Sequence, residues 1–270
     1  MKLILSLFPG ADLLGRGFEA EGFCVVRGPD ILWGQDVRDF APASHKFDGI
    51  IGGSPCQDFS KARRCEPTGE GIELLKEFML CVAIADPPWF LLENVPGVPS
   101  VDEFLPDAGL QVQRFNIKAS EAGCRQSRLR CFQFGWRDGL GPLVIHRGKP
   151  DSGLSPAALA TEGKRKHRRS WADFCELQGL PRTFALPGLS LAARYRLVGN
   201  GVPVPLARVV AAAVKSRSVT LKRLCVCECG RQVPAGRTLA TAACRKRMQR
   251  ERDSAGVTQL VTVTPQPSLF

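Results

Sequence analysis

The chain has 270 residues, 44% of them hydrophobic, and carries a net charge of +11. That length suits one ordinary domain with a small appendage, and the hydrophobic share suffices for a real core. Its longest apolar runs, about six to eight residues, are too short to cross a membrane, so no membrane partner is expected. Met1 to Phe8 is apolar, but Pro9-Gly10 and Asp12 follow without a small-residue cleavage site. A first strand is therefore expected there rather than an export signal. With eleven cysteines, that reading points to free thiols in a reducing cytoplasm.

In chain order, Leu3 to Phe8 reads as a buried strand and Pro9 to Asp12 as a turn. Leu13 to Glu21 reads as a helix and Phe23 to Val26 as a second strand. Phe47 to Ile51 is a third, stopped by Gly52-Gly53-Ser54-Pro55 with Cys56 at the turn. A polar loop covers residues 60 to 71. A helix starts near Gly71, with Leu75, Phe78, Met79 and Val82 on one face, and stops before Pro87-Pro88. Trp89 to Leu92 is a further strand, ending in Glu93-Asn94-Val95. Gln111 to Ile117 and Arg130 to Trp136 alternate like half-buried strands. From about 137 to 170 the pattern dissolves into Gly, Pro, Ser and charge, ending in the basic run Lys164 to Arg169. Trp171 to Leu180 reads as a helix. Pro203 opens another, with Leu206, Val209, Val210, Ala213 and Val214 on one face. This alternation predicts a doubly wound α/β sheet.

Charge is unevenly placed. Eleven Lys/Arg and two Glu lie between Lys215 and Arg252, leaving the first 214 residues nearly balanced. A polyanion, most plausibly nucleic acid, is the partner such a segment suits. Residues 253–270 are rich in Thr, Val and Pro and are expected to be poorly ordered.

The chemistry-bearing residues gather at strand ends. In open α/β sheets the site lies at the carboxyl ends of the strands. The Leu7-Phe8-Pro9-Gly10 turn is where such folds hold a nucleotide-like cofactor. Asp30 follows the second strand, where an acid accepts hydrogen bonds from ribose hydroxyls, and Asp36 suits an adenine amino group. Neither G-x-x-x-x-G-K nor G-x-G-x-x-G occurs, which disfavours phosphate cradling. Cys56 after one strand and Glu93 after another pair a nucleophile with an acid.

Several motifs occur in one order. They are Phe8-Pro9-Gly10, Pro55-Cys56-Gln57, Glu93-Asn94-Val95 and Gln126-Ser127-Arg128-Leu129-Arg130. Leu177-Gln178-Gly179-Leu180-Pro181 and Gly199-Asn200-Gly201-Val202-Pro203 complete the set. Together they resemble the cytosine-C5 DNA methyltransferase family over residues 1 to about 215. The resemblance implies a Rossmann-like, S-adenosyl-L-methionine-dependent fold over 1–216 that acts on double-stranded DNA. Cys56 would add to C6 of a flipped cytosine. Glu93 would hold N3, Asn94 would position the loop, and Arg128 and Arg130 would line the pocket. A loop leading into a helix N-terminus, with cationic neighbours, favours the Cys56 thiolate. Lys61, Arg63 and Arg64 fall in a loop that closes over DNA in the family. Phe8, Pro9, Gly10, Asp30, Ile31, Asp36, Val37, Pro55, Leu74 and Asn200 would meet the cofactor.

Two departures stand out. Ala11-Asp12-Leu13-Leu14 fills places where the family carries glycine, which suggests a reshaped methionine pocket or an unusual donor. The recognition region, about 137–170, is very short. Beyond it, Cys225, Cys227, Cys229 and Cys244 supply four thiols for a zinc site in a basic module, 222–252, resembling zinc-ribbon-like modules. A monomer is expected, and small size and a short recognition region fit a modification enzyme of a bacterial or phage-infected cell. Rival readings are an RNA cytosine methyltransferase and a non-catalytic nucleic-acid-binding regulator on the same scaffold.

Overall fold

The computed structural model describes residues 2–60, 66–104, 109–137, 139–150, 153–217 and 241–256. It divides into two units, Met1–Ser218 and Val219–Phe270.

The first unit is built on a six-stranded sheet in the order β2-β1-β3-β4-β7-β5. These are β1 (Lys2–Leu7), β2 (Phe23–Arg27), β3 (Gly49–Gly52), β4 (Trp89–Asn94), β5 (Gln111–Lys118) and β7 (Leu129–Trp136). Strands β1 to β4 pair in parallel, and β7 runs antiparallel to both β4 and β5. The short strands β6 (Gln126–Ser127) and β8 (Ser155–Pro156) form a separate parallel pair.

The sheet is covered on both faces because its strands alternate. Ile4, Ile51 and Leu91 face one core, with Leu14 and Phe18 of α1 (Leu13–Ala20) and Leu206, Val210 and Val214 of α5 (Val204–Arg217). Their neighbours Leu5, Ile50, Phe90 and Leu92 face the other, against Leu75, Phe78 and Val82 of α2 (Glu70–Ala85). Consecutive residues of a strand point to opposite faces, so continuous apolar runs are what a doubly covered sheet requires. Phe18, Phe78 and Phe90 are each 0% exposed, a burial on the order of 1.5–3 kcal/mol per side chain. The fold is the Rossmann-like arrangement expected.

A third cluster joins Ala11 and Leu13 to Ala158, Phe174, Tyr195, Leu197 and Val198. It packs α3 (Trp171–Leu177) and α4 (Leu191–Asn200) beside the first turn. Helix α4 was not among the expected elements. Ser190 caps it by accepting from Ala193 N, a start signal present in the sequence. Leu191–Arg217 has the length and composition of a membrane span, contrary to the short apolar runs expected. It is two helices, and 61% of that apolar window is buried in the fold.

In the second unit, α6 (Ala242–Gly256) is the described element. Thr241 caps it, accepting from Cys244 N at 3.2 Å. The helix runs four residues past the expected boundary at Arg252, and residues 257–270 lie outside the described set.

Candidate active site

The topology brings the chemistry to one edge. Strands β1, β3 and β4 are parallel, so Phe8-Pro9-Gly10, Ser54-Pro55-Cys56 and Glu93-Asn94 leave the sheet at the same end. Because β7 is antiparallel, its beginning lies there too: Asn94 is opposite Cys131, and Ile117 is opposite Arg130. Arg128 and Arg130 therefore reach the carboxyl edge from the far side of β4.

These ends enclose a cavity of about 620 Å³. Cys56, Glu93, Asn94 and Arg130 line it, together with all ten expected cofactor residues: Phe8, Pro9, Gly10, Asp30, Ile31, Asp36, Val37, Pro55, Leu74 and Asn200. Arg128 does not. Its guanidinium is 6% exposed and donates to the carbonyls of Ala158 (2.8 Å), Gly199 (2.9 Å), Asn200 (3.2 Å) and Gly201 (3.1 Å). It clamps the end of α4 to the segment that carries Ala158. Gln178, 0% exposed, supports the same turn by donating to Val198 O and Gly201 O.

Glu93 is 7% exposed and its Oε1 lies 2.8 Å from Arg130 Nε. Burial pushes its carboxyl upward, opposed by the charges of Arg130 and Arg128. The β3 loop comes close because Gly53 has no side chain: a Cβ there would sit 3.1 Å from Glu93 Oε2. Asn94 donates to Ser54 O and Ser54 Oγ, both at 3.0 Å, and accepts from Val95 N. One amide thus ties the β4 end to the loop that carries Cys56.

Cys56 precedes a single 3₁₀ turn, Gln57–Phe59, rather than a full helix. Burial raises its pKa, and the Glu93 charge raises it further, while Arg130 and Arg128 pull it down. The expectation of a favoured thiolate is therefore corrected: in the free pocket burial and Glu93 outweigh the cations. Lys61, Arg63 and Arg64 lie outside the described residues.

The other end of the cavity is rich in acid. Asp30 accepts from Gly10 N (2.8 Å) and Leu32 N (2.9 Å), joining the β1 and β2 turns. Asp36 accepts from Arg38 N, and that contact holds its carboxyl below the usual range. Ile31 is 74% exposed and Val37 4%; with Leu74 they supply an apolar wall. Sequence reasoning passed over Trp33, whose indole Nε1 donates to Gly10 O at 3.1 Å. It also gave Asp12 no structural role. Asp12 caps α1 from the left-handed region, φ 51. Its Oδ1 accepts from Ser6 Oγ and Gly15 N, and its Oδ2 pairs with Arg27 Nε at 2.9 Å. A left-handed acid stands where the resemblance led glycine to be expected, and its carboxylate is engaged by the protein.

Residues 34–156, which hold Cys56, Glu93, Arg128 and Arg130, match the model of the family described as C-5 cytosine-specific DNA methylase. Over those residues the chain is similar to the C-5 cytosine-specific DNA methylase family. It is 33% identical over 170 residues to the type II methyltransferase M.FnuDI of Fusobacterium nucleatum, covering 52% of this chain and 48% of that one. It is 32% identical over 171 residues to M.MthTI of Methanothermobacter thermautotrophicus, covering 51% and 49%. The chain thus spans about half the length of the curated relatives it matches. Among solved structures, the S. pombe Dnmt2 methyltransferase aligns with TM-score 0.56 at 11% identity, covering 81% of this chain and 99% of that one. The Entamoeba histolytica methyltransferase EhMeth aligns with TM-score 0.55 at 11% identity, covering 80% and 98%. These two likenesses are of fold.

Of the four cysteines expected to hold zinc, Cys225, Cys227 and Cys229 lie outside the described residues. Cys244 is buried beside Thr241 Oγ1, and no metal-ligating cluster occurs among the described residues. Cys124 is a buried core residue.

Proposed function

We propose that this protein transfers a methyl group from S-adenosyl-L-methionine to C5 of cytosine in double-stranded DNA. The observation that carries the reading is the meeting of Cys56, Glu93 and Arg130 on one wall of a cavity whose other end is lined by the β1 and β2 turns. The cavity suits the donor. Among the described residues six carboxylates and three guanidiniums line it, a balance that favours a sulfonium compound and disfavours a phosphate-bearing cofactor. Its volume lies in the ordinary range for small-molecule sites.

When bound, S-adenosylmethionine supplies an electrophilic methyl group. Asp30 and Asp36 would accept from its ribose and adenine, and Phe8, Ile31, Val37 and Leu74 would enclose the adenine. Pro9, Gly10, Pro55 and Asn200 would complete the wall. The Cys56 thiolate adds to C6 of the cytosine, which makes C5 nucleophilic. Glu93, an anion beside Arg130 in the free pocket, takes up a proton as the base enters, helped by the burial that already raises its pKa, and gives it to N3 as the thiolate is consumed. One negative charge then passes from sulfur to Glu93, where Arg130 already sits. Once the methyl group is on C5, a base, water or hydroxide in the open site, takes the C5 proton, the C6–S bond breaks to release Cys56 as thiolate, and Glu93 takes back the N3 proton. Asn94 holds the loop in place, and Arg128 acts through the α4 turn as a positioning residue. We assign these roles to 1–216, and phosphate contact to the basic module 222–252 and the Lys164 to Arg169 run. The setting proposed is the cytoplasm of a bacterial or phage-infected cell.

The test is covalent trapping on duplex DNA containing 5-fluorocytosine, in the presence of S-adenosylmethionine. The fluorine cannot leave as a proton does, so the enzyme stays attached. An adduct mapped to Cys56 and lost in Cys56→Ser is expected. Donor binding without any adduct on DNA, but with methyl transfer to RNA, would replace the substrate. Neither donor binding nor an adduct would leave a nucleic-acid-binding scaffold.

A further inference from the structure

Three guanidiniums line the cavity among the described residues: Arg38, Arg130 and Arg196. Two are neutralised on the spot. Arg38 pairs with Asp36 and Glu70, and Arg130 pairs with Glu93. The Arg196 guanidinium has no ion pair or hydrogen bond among the described residues, and the residue is exposed. It stands one helical turn before Asn200 on α4, so the two share a face, and both line the cavity.

The adjoining face of α4, one residue on, packs against the first turn and sets Arg196 beside it. A Cβ on Gly10 would lie 3.6 Å from Leu197 Cδ2, and one on Gly201 would lie 3.0 Å from Leu13 Cδ2. Arg196 therefore belongs to the end of the cavity walled by Gly10 to Leu13, away from the adenine-side residues Ile31 and Val37. The acids at this end are already engaged: Asp12 by Arg27, Ser6 and Gly15, and Asp30 by Gly10 and Leu32. Among the described residues this is the one cavity guanidinium without an acid beside it, and it calls for a carboxylate from outside the chain.

We propose that Arg196 is the anchor for the carboxylate of the donor's amino-acid end. The proposal rests on the S-adenosylmethionine reading of this cavity and deepens it: Arg196 selects donors that keep the free α-carboxylate.

The test is calorimetry on the full chain with two probes, S-adenosylmethionine and its decarboxylated form. The second keeps the sulfonium and amine and lacks only the carboxylate. Arg196→Ala should weaken S-adenosylmethionine by about 10- to 100-fold, the range of a charged hydrogen bond. Arg196→Lys should recover part of that loss. Decarboxylated donor should bind wild type and Arg196→Ala alike, and thermal unfolding without ligand should be unchanged, since the residue is exposed. Equal binding of S-adenosylmethionine by wild type and Arg196→Ala would overturn the proposal. So would an equal loss for both probes, which would mark a structural role. Unchanged donor affinity with weakened duplex binding would make Arg196 a phosphate contact and overturn it as well. Failure of the wild type to bind either probe would remove the donor reading itself, a result separate from any effect of the variants.

Discussion

Cys56 shares its surroundings with one carboxylate and two guanidiniums, and their balance sets when the thiol ionises. Burial is the largest influence and Glu93 the next, both upward; Arg130 and Arg128 act downward. Glu93→Gln removes an anion and frees Arg130, so both changes lower the Cys56 pKa. Arg130→Ala does the reverse. Alkylation of Cys56 across a pH series, followed by peptide mass spectrometry, should therefore show a midpoint above that of a free thiol. It should move to lower pH in Glu93→Gln and higher in Arg130→Ala. A shift of the same sign in both would refute the coupling. Cys56 and Glu93 were legible in the sequence because their motifs are local. The role of Arg128 was not, since its acceptors come from residues 158 and 199–201. Asp12 was legible only as a departure. Its Oδ1 caps α1, a contribution of about 1–2 kcal/mol when lost to Ala, and its left-handed backbone adds about 1–2 kcal/mol against Ala. Asn keeps both cap and conformation. Burial holds the Asp12 carboxyl above its ordinary value, so its ionised form is a cost that grows as pH rises through the raised pKa. In urea unfolding, Asp12→Ala should be destabilised by about 2–4 kcal/mol. Asp12→Asn should match wild type in acid and gain on it towards neutral pH. If Asn and Ala prove equally damaging, the capping account is wrong.

Elements were readable wherever one face carried the period, as in α1, α2 and the parallel strands. They were missed where a motif hid the helix, as at Gly199 in α4. There the backbone of residues 159–160 comes so close that a Cβ would lie 2.6 Å from Ala160 N. Long-range approach of this kind leaves no local trace beyond the glycine. The same holds inside α1. Helix propensity says that Gly17→Ala should stabilise by up to about 1 kcal/mol. Packing says otherwise: the new Cβ would meet Ala207 Cβ at 2.3 Å and the backbone nitrogen of Arg208 at 2.9 Å. Two helix backbones cannot yield as a flexible side chain can, so overpacking should win by about 1–3 kcal/mol. A urea midpoint below wild type with an unchanged m-value is the expected result. A higher midpoint would mean that α1 and α5 separate at little cost.

At the scale of the molecule, charge and chemistry are segregated. Among the described residues, acids outnumber cations in the cavity lining, whereas the cations concentrate past Lys215. A site that takes a cationic donor and a segment that takes a polyanion have opposite electrostatic needs, and the chain meets them in different stretches. The uneven charge was plain in the sequence; which cations touch phosphate was not, because contact depends on how the chain meets a partner. Each phosphate neutralised releases counterions, so the slope of log affinity against log salt counts the contacts, at about 0.9 per phosphate on duplex DNA. A chain ending at Arg217 retains the whole sheet and its covering helices. If the basic segment binds the backbone, the truncated chain should bind duplex DNA more weakly at low salt and with a shallower slope, by about 0.9 for every phosphate contact removed. Its affinity for S-adenosylmethionine should be unchanged, since every cavity-lining residue precedes position 218. An unchanged slope would assign the phosphate contacts to the first unit, with Lys164 to Arg169 as the cations to remove next.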